Sequence, residues 1–193
     1  MKQATNAEHA LALPEAALWP TAAGRAAAAE RPRSATMELV LWRHAEAREA
    51  RPGEDDLARA LSARGERQAE RMAQWLDRFL PETTRVFVSP ALRARQTADK
   101  LGRRVRVIDA LAPAAAPSRL LAATRWPDSR EPVLLVGHQP ALGQLAAILL
   151  GGPIASDAPV WAVRKGAVWW LRHRVRAGVP EVVLVAVNSP DRV

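Results

Sequence analysis

Met37-Glu38-Leu39-Val40-Leu41-Trp42-Arg43-His44 (MELVLWRH) is a short apolar run that ends abruptly on a guanidinium and an imidazole. Six residues of this kind are long enough for a buried strand. Downstream, a polar loop passes through Pro52-Gly53, and Ser62 offers an N-cap. Ala69, Met72, Ala73, Leu76, Phe79 and Leu80 then recur at helical spacing until Pro81. Arg85–Val88 reads as a second strand, with Pro90 opening a helix to about Leu101. Val105–Ile108 is β-branched again, Pro117 to about Trp126 reads as helix, and Val133–Val136 as a buried strand. Gln139–Leu150 is helical up to Gly151-Gly152. Val160–Arg164, a Lys165-Gly166 turn and Ala167–Arg172 read as a β-hairpin, and Glu181–Val187 as one more strand. The pattern predicts a three-layer α/β/α sandwich, with a mainly parallel sheet and an antiparallel C-terminal portion.

Upstream of Met37 the chain changes character. Thirteen of residues 1–36 are Ala, and Pro14, Pro20 and Pro32 interrupt any helix. This stretch makes a poor signal peptide and a poor transit peptide, since it carries Glu8, Glu15 and Glu30. We read 1–36 as a disordered Ala-rich extension, 37–193 as one domain, and the protein as cytoplasmic. Its 193 residues are 49% hydrophobic and 25% charged, an ordinary globular balance. No run approaches the roughly 18 apolar residues of a membrane helix, so a membrane role is not expected. The absence of cysteine excludes a disulfide framework, a thiolate metal site and a cysteine nucleophile. Four histidines argue against a metal centre, and no cofactor is expected. The net charge of +8 comes from 25 Arg and 3 Lys against 20 acidic residues. That surplus suits an anionic substrate. Clustered lysines and exposed aromatics, which a nucleic-acid binder would show, are not prominent.

In an open α/β sheet, ligands sit beyond the carboxyl ends of the strands. Here the first strand delivers Arg43-His44, the second Ser89-Pro90-Ala91-Leu92-Arg93, and the fourth Gly137-His138-Gln139-Pro140. Two imidazoles and two arginines thus reach one edge, where helices starting near Pro90 and Gln139 also point their positive ends. A second Arg-His pair, Arg172-His173, falls inside a strand and reads as a solvent-facing position. Trp42, Trp75 and Trp161 sit where they can face a core, and Arg103-Arg104-Arg106 and Arg172-Arg174-Arg176 read as solvated faces.

Leu41-Trp42-Arg43-His44-Ala45-Glu46-Ala47 resembles the Arg-His signature of the histidine phosphatase superfamily, which includes phosphoglycerate mutases. Arg59-Ala60-Leu61-Ser62-Ala63-Arg64-Gly65 with Gln68-Ala69 resembles the segment that follows it. Ser89-Pro90-Ala91-Leu92-Arg93-Ala94-Arg95-Gln96-Thr97-Ala98 matches the second arginine block, and Val136-Gly137-His138-Gln139-Pro140 the second histidine block. The short chain resembles the SixA-type phosphohistidine phosphatases in particular.

The resemblance implies a metal-independent phosphatase in which His44 attacks phosphorus and forms a covalent phosphohistidine. A backbone carbonyl should hold the other ring nitrogen. It further implies that Arg43, Arg93 and His138 clamp the phosphoryl group, with Arg59 as another phosphate contact. Larger relatives place a Glu after the third strand, where this chain reads Asp109-Ala110-Leu111. With Ala110 in that place, Asp56 becomes the candidate leaving-group acid, with Asp55 and Glu46 behind it. The implied partner is a phosphorylated protein, either a phosphotransfer domain or a phosphocarrier. Two alternatives remain open: a phosphatase for small phosphate esters, and a non-catalytic phosphate-binding module. The sequence sets no oligomeric state.

Overall fold

The computed structural model describes residues 36–151 and 160–193. The expected extension, apart from Thr36, and Gly152 of the glycine pair lie outside the described residues. Six strands form one sheet: β1 (Met37–Arg43), β2 (Arg85–Val88), β3 (Val105–Val107), β4 (Val133–Gly137), β5 (Val168–Arg176) and β6 (Val179–Asn188). Their order across the sheet is β3-β2-β4-β1-β5-β6. β1, β2, β3 and β4 run parallel, and β5 and β6 are antiparallel additions beside β1. The helices are α1 (Ala63–Asp77), α2 (Leu92–Asp99), α3 (Pro117–Thr124) and α4 (Ala141–Gly151).

Side chains alternate across the sheet, and this alternation builds two cores. Val40 and Trp42 of β1, Val86 and Val88 of β2, and Leu134 and Val136 of β4 pack against Met72, Ala73 and Leu76 of α1 and Ala94 and Ala98 of α2. The opposite face of the same strands, with Leu39, Leu41, Phe87 and Leu135, is buried on the side of α3 and α4. The result is the expected three-layer α/β/α architecture, with the central parallel strands buried on both faces.

The C-terminal hairpin lies further along the chain than its sequence suggests. Val160–Arg164 forms no strand. Its carbonyls serve side chains instead: Val163 O accepts from Arg43, and Trp161 O from Gln139. Lys165-Gly166 therefore joins a loop to β5, and the hairpin turn falls at Ala177-Gly178. Both turn residues have positive φ, 50° and 78°, as a two-residue type I′ turn requires. Trp161 is exposed and packs on Trp169 rather than in the core. His173 is half-buried with its ring edge-on to Trp126, so it does not simply face solvent. Arg172 and Arg174 are ion-paired to Glu38 and Glu181 rather than merely solvated. Pro90 precedes α2 by two residues, because the Ser89 hydroxyl accepts from Ala91 N–H and makes a turn before Leu92.

α1 starts where the sequence places it, with Ser62 Oγ accepting from Gly65 N–H at 3.0 Å. Gly65 lies so close to the chain after β1 that a Cβ there would sit 1.9 Å from the Glu46 carbonyl oxygen. Gly65→Ala must push Glu46, and with it Ala45, off the start of α1. We expect a loss of about 1–3 kcal/mol, read as a melting temperature lowered by roughly 5 °C. An unchanged melting curve would contradict this packing.

Candidate active site

β2, β4 and β1 are neighbours and parallel, so their carboxyl ends lie side by side. Backbone bonds continue just past the strands: His44 N–H donates to Gly137 O, Ser89 N–H to Val136 O, and Arg43 N–H to Ala167 O, each at 3.0 Å. His44 and His138 thereby converge, with ring centroids 5.0 Å apart. Both are buried, at 6% and 5% exposure.

His44 Nδ1 lies 2.7 Å from the carbonyl oxygen of Ala45. A carbonyl can only accept, so Nδ1 carries the proton and Nε2 keeps its lone pair. His44 is lowered from 6.5 to about 3, chiefly by burial and in smaller part by His138, Arg93 and Arg43, against the opposing pull of the Ala45 carbonyl. His138 is lowered to about 4, first by burial and then by Arg93. Both rings are therefore neutral at pH 7.

The guanidiniums are held by different devices. Arg43 Nη1 donates to Val163 O at 2.8 Å, while its Nε is buried without a partner. Burial lowers Arg43 from its ordinary value, yet an arginine remains a cation. Arg93, 3% exposed on the first turn of α2, donates through Nη1 to Asp56 O and through Nη2 to Asp56 Oδ2. Its Nε is also unpartnered. Arg59 Nε lies 2.9 Å from Asp56 Oδ1.

Asp56 comes from the 48–60 loop, which an isolated Ala47–Leu61 bridge closes and which the Arg48–Glu54 ion pair braces. Its carboxyl is held below the usual range, chiefly by the hydrogen bond from Arg93. In the free site it is an ionised acceptor shared by two arginines. Asp55 caps the short 3-10 helix Asp56–Ala58, accepting from Leu57 N–H. Glu46 accepts from Ser62 Oγ and pairs with Arg64, so it is bound to the start of α1. Three arginines against one carboxylate leave two positive charges unbalanced, the complement of a phosphoryl dianion.

A further set of residues braces this arrangement, and the sequence reading assigned them no role. Thr97 Oγ1 accepts from Ala45 N–H at 3.1 Å and donates to Arg93 O at 2.7 Å. It thus links the chain just after His44 to the helix that carries Arg93. Gln96 Oε1 accepts from Leu61 N–H at 2.8 Å and fixes the end of the Asp56 loop. Gln68 Oε1 accepts from Glu46 N–H. The signal was available, since positions three and four after Arg93 lie near it on α2.

The histidine phosphatase superfamily (branch 1) model matches residues 39–116, a span that contains Arg43, His44, Asp56, Arg59 and Arg93. The chain belongs to the histidine phosphatase superfamily. It is 36% identical over 125 residues to an uncharacterised protein of Picosynechococcus sp., covering 60% of this chain and 74% of that one. A structure from Nakamurella multipartitia, named as a candidate SixA phosphohistidine phosphatase, superposes with TM-score 0.67 at 26% identity, covering 82% of this chain and 99% of that one. The protein histidine phosphatase SixA solved with tungstate gives TM-score 0.62 at 26% identity, covering 80% and 98%. This histidine phosphatase is therefore SixA-like in fold and family. Among the described residues no group of three or more His, Asp or Glu could hold a metal ion. No described helix is long and apolar enough to cross a membrane.

The two neutral histidines of this phosphatase make its stability depend on pH. An unfolded chain takes up protons on both near pH 6.5, whereas the folded site resists them until about 4 and about 3. Folding is then weakened as pH falls below 6.5, by up to about 1.4 kcal/mol per pH unit for each histidine. The carboxylates add to the loss only below about pH 4.5, the ordinary value of Glu. Urea unfolding at pH 7, 6 and 5 should show this decline, and His44→Asn with His138→Asn should flatten it. A flat wild-type profile over that range would contradict the burial of neutral rings.

Proposed function

We propose that this phosphatase removes the phosphoryl group from phosphohistidine in a protein, through a covalent phosphohistidine on His44. The observation that carries the reading is the Ala45 carbonyl on His44 Nδ1, which leaves Nε2 as a free lone pair beside the arginines. His44 Nε2 attacks phosphorus, a P–N bond forms, and the bond to the leaving nitrogen breaks. Arg43, Arg93, Arg59 and His138 hold the equatorial oxygens during this transfer. Water then attacks the phosphoenzyme, inorganic phosphate leaves, and neutral His44 returns. All the charge stabilisation comes from guanidiniums and imidazole, so the reaction as drawn uses no metal.

An incoming dianion competes with Asp56 for Arg93 and Arg59. Once displaced and left beside the dianion, the Asp56 carboxylate has its proton affinity raised by the like charge, takes up a proton from solvent and passes it to the leaving nitrogen. A P–N bond to imidazole breaks readily when that nitrogen is protonated, so one modest carboxyl suffices. The tungstate carried by the related SixA is an oxyanion of phosphate-like shape, which supports an anion in this cradle. The proposed partner is a phosphotransfer domain or phosphocarrier, and the proposed site of action is the cytoplasm.

The test is turnover of a phosphohistidine-bearing phosphocarrier beside a generic aryl phosphate, with His44→Asn as control. The proposal expects the phosphoprotein to be dephosphorylated with the higher kcat/KM. Turnover of the aryl ester alone would assign a small-ester phosphatase. Wild type indistinguishable from His44→Asn on both substrates would leave a phosphate-binding module.

A further inference from the structure

Ser89 is fully buried at the carboxyl end of β2, and its Oγ lies 2.7 Å from His138 Nε2. The same oxygen accepts from Ala91 N–H at 3.2 Å, and the Ser89 backbone is fixed by its N–H bond to Val136 O. A serine hydroxyl has one proton to give. Among the described residues His138 Nε2 is its acceptor, and a buried hydroxyl proton left without one is costly. The hydroxyl therefore donates and Nε2 accepts. A neutral His138 must then carry its proton on Nδ1, a nitrogen with no protein partner among the described residues.

We infer that Ser89 is a positioning residue that fixes the tautomer of His138, so that His138 offers an Nδ1–H donor to the phosphoryl group. The inference rests on the phosphatase reading for its purpose, but its geometry is independent of turnover. It also explains why two histidines of opposite use sit together. A backbone acceptor gives His44 a bare Nε2 for attack, while a hydroxyl donor gives His138 a bare Nε2 turned away from the reaction. Arginine cannot replace such a donor at this position without another full charge beside Arg93 and Arg43.

The deciding experiment is 15N NMR of histidine-labelled wild type at neutral pH. The expected spectrum for His138 shows a protonated Nδ1 and a lone-pair Nε2; the reverse pattern overturns the inference. This readout needs no substrate, so failed turnover would sink the phosphatase reading and leave the tautomer standing. In Ser89→Ala the His138 preference should be lost, and kcat on an aryl phosphate should fall roughly 10- to 100-fold, the range seen when a metal-bound histidine loses its orienting partner. KM should change little. Ser89→Thr keeps the hydroxyl and should restore both the spectrum and kcat. Ser89→Ala with an unchanged His138 spectrum and unchanged kcat would equally overturn it, and the wild-type spectrum decides if either variant fails to fold.

Discussion

His44→Asn is expected to lower kcat/KM at least about 10³-fold, because no other group can take over the attack on phosphorus. Asparagine keeps an amide able to meet the Ala45 carbonyl, so the local fold should survive and phosphate should still bind. The effect is thus expected in kcat rather than in KM. His138, 5.0 Å away between ring centroids, is not a substitute, because its Nε2 is committed to the Ser89 hydroxyl. Steady-state kinetics with a binding measurement for phosphate or vanadate will separate the two effects. Retained activity in His44→Asn would mean that water attacks directly.

Arg93→Lys is expected to cost about 10²–10³-fold in kcat/KM, despite conserving charge. Arg93 engages Asp56 through two nitrogens, and an incoming phosphoryl group would be met by the same fork. A lysine ammonium presents one point and cannot match two oxygens in a plane. The change also frees Asp56, whose ionised form is held chiefly by Arg93. Phosphate binding should therefore weaken along with turnover, unlike the His44 variant. Equal activity in Arg93→Lys would show that charge alone, without the fork, holds the substrate.

The architecture was legible wherever burial acted on both faces of a strand. Val133–Val136 and Leu39–Trp42 announce central strands, because every residue in them is apolar and buried. Ser62 and Gly65 announce the start of α1 for the same local reason that they form it. What could not be read is which strands become neighbours. The insertion of β4 between β1 and β2 is what brings His138 to His44, and no local feature of either segment encodes it.

The misplaced hairpin has a physical cause. Val160, Trp161 and Val163 look like strand residues, but the carbonyls of Trp161 and Val163 are taken by the side chains of Gln139 and Arg43. The true turn uses Ala177 at positive φ, a residue with no turn signature. At the site, residue identity pointed to the charged groups and left out their supports. Arg43 and Arg93 stand out by charge, both histidines by their imidazoles, and all four by their positions at or just past strand ends. Thr97 and Gln96 share a helix face with Arg93, but the partners they and Ser89 brace, Ala45, Leu61 and His138, lie far off in the chain and are set only by the fold. Asp56 was legible as an acid near the site, but not as the ion that occupies the arginines before substrate arrives.

The central claim is that one imidazole nitrogen forms a bond to phosphorus. Rapid acid-free quenching of wild type during turnover, followed by peptide mass spectrometry, tests it directly. A phosphoryl group on the peptide carrying His44, formed and lost at a rate compatible with kcat and absent from His44→Asn, is the expected result. Full turnover with no phosphorylated His44 at any time point would contradict the account.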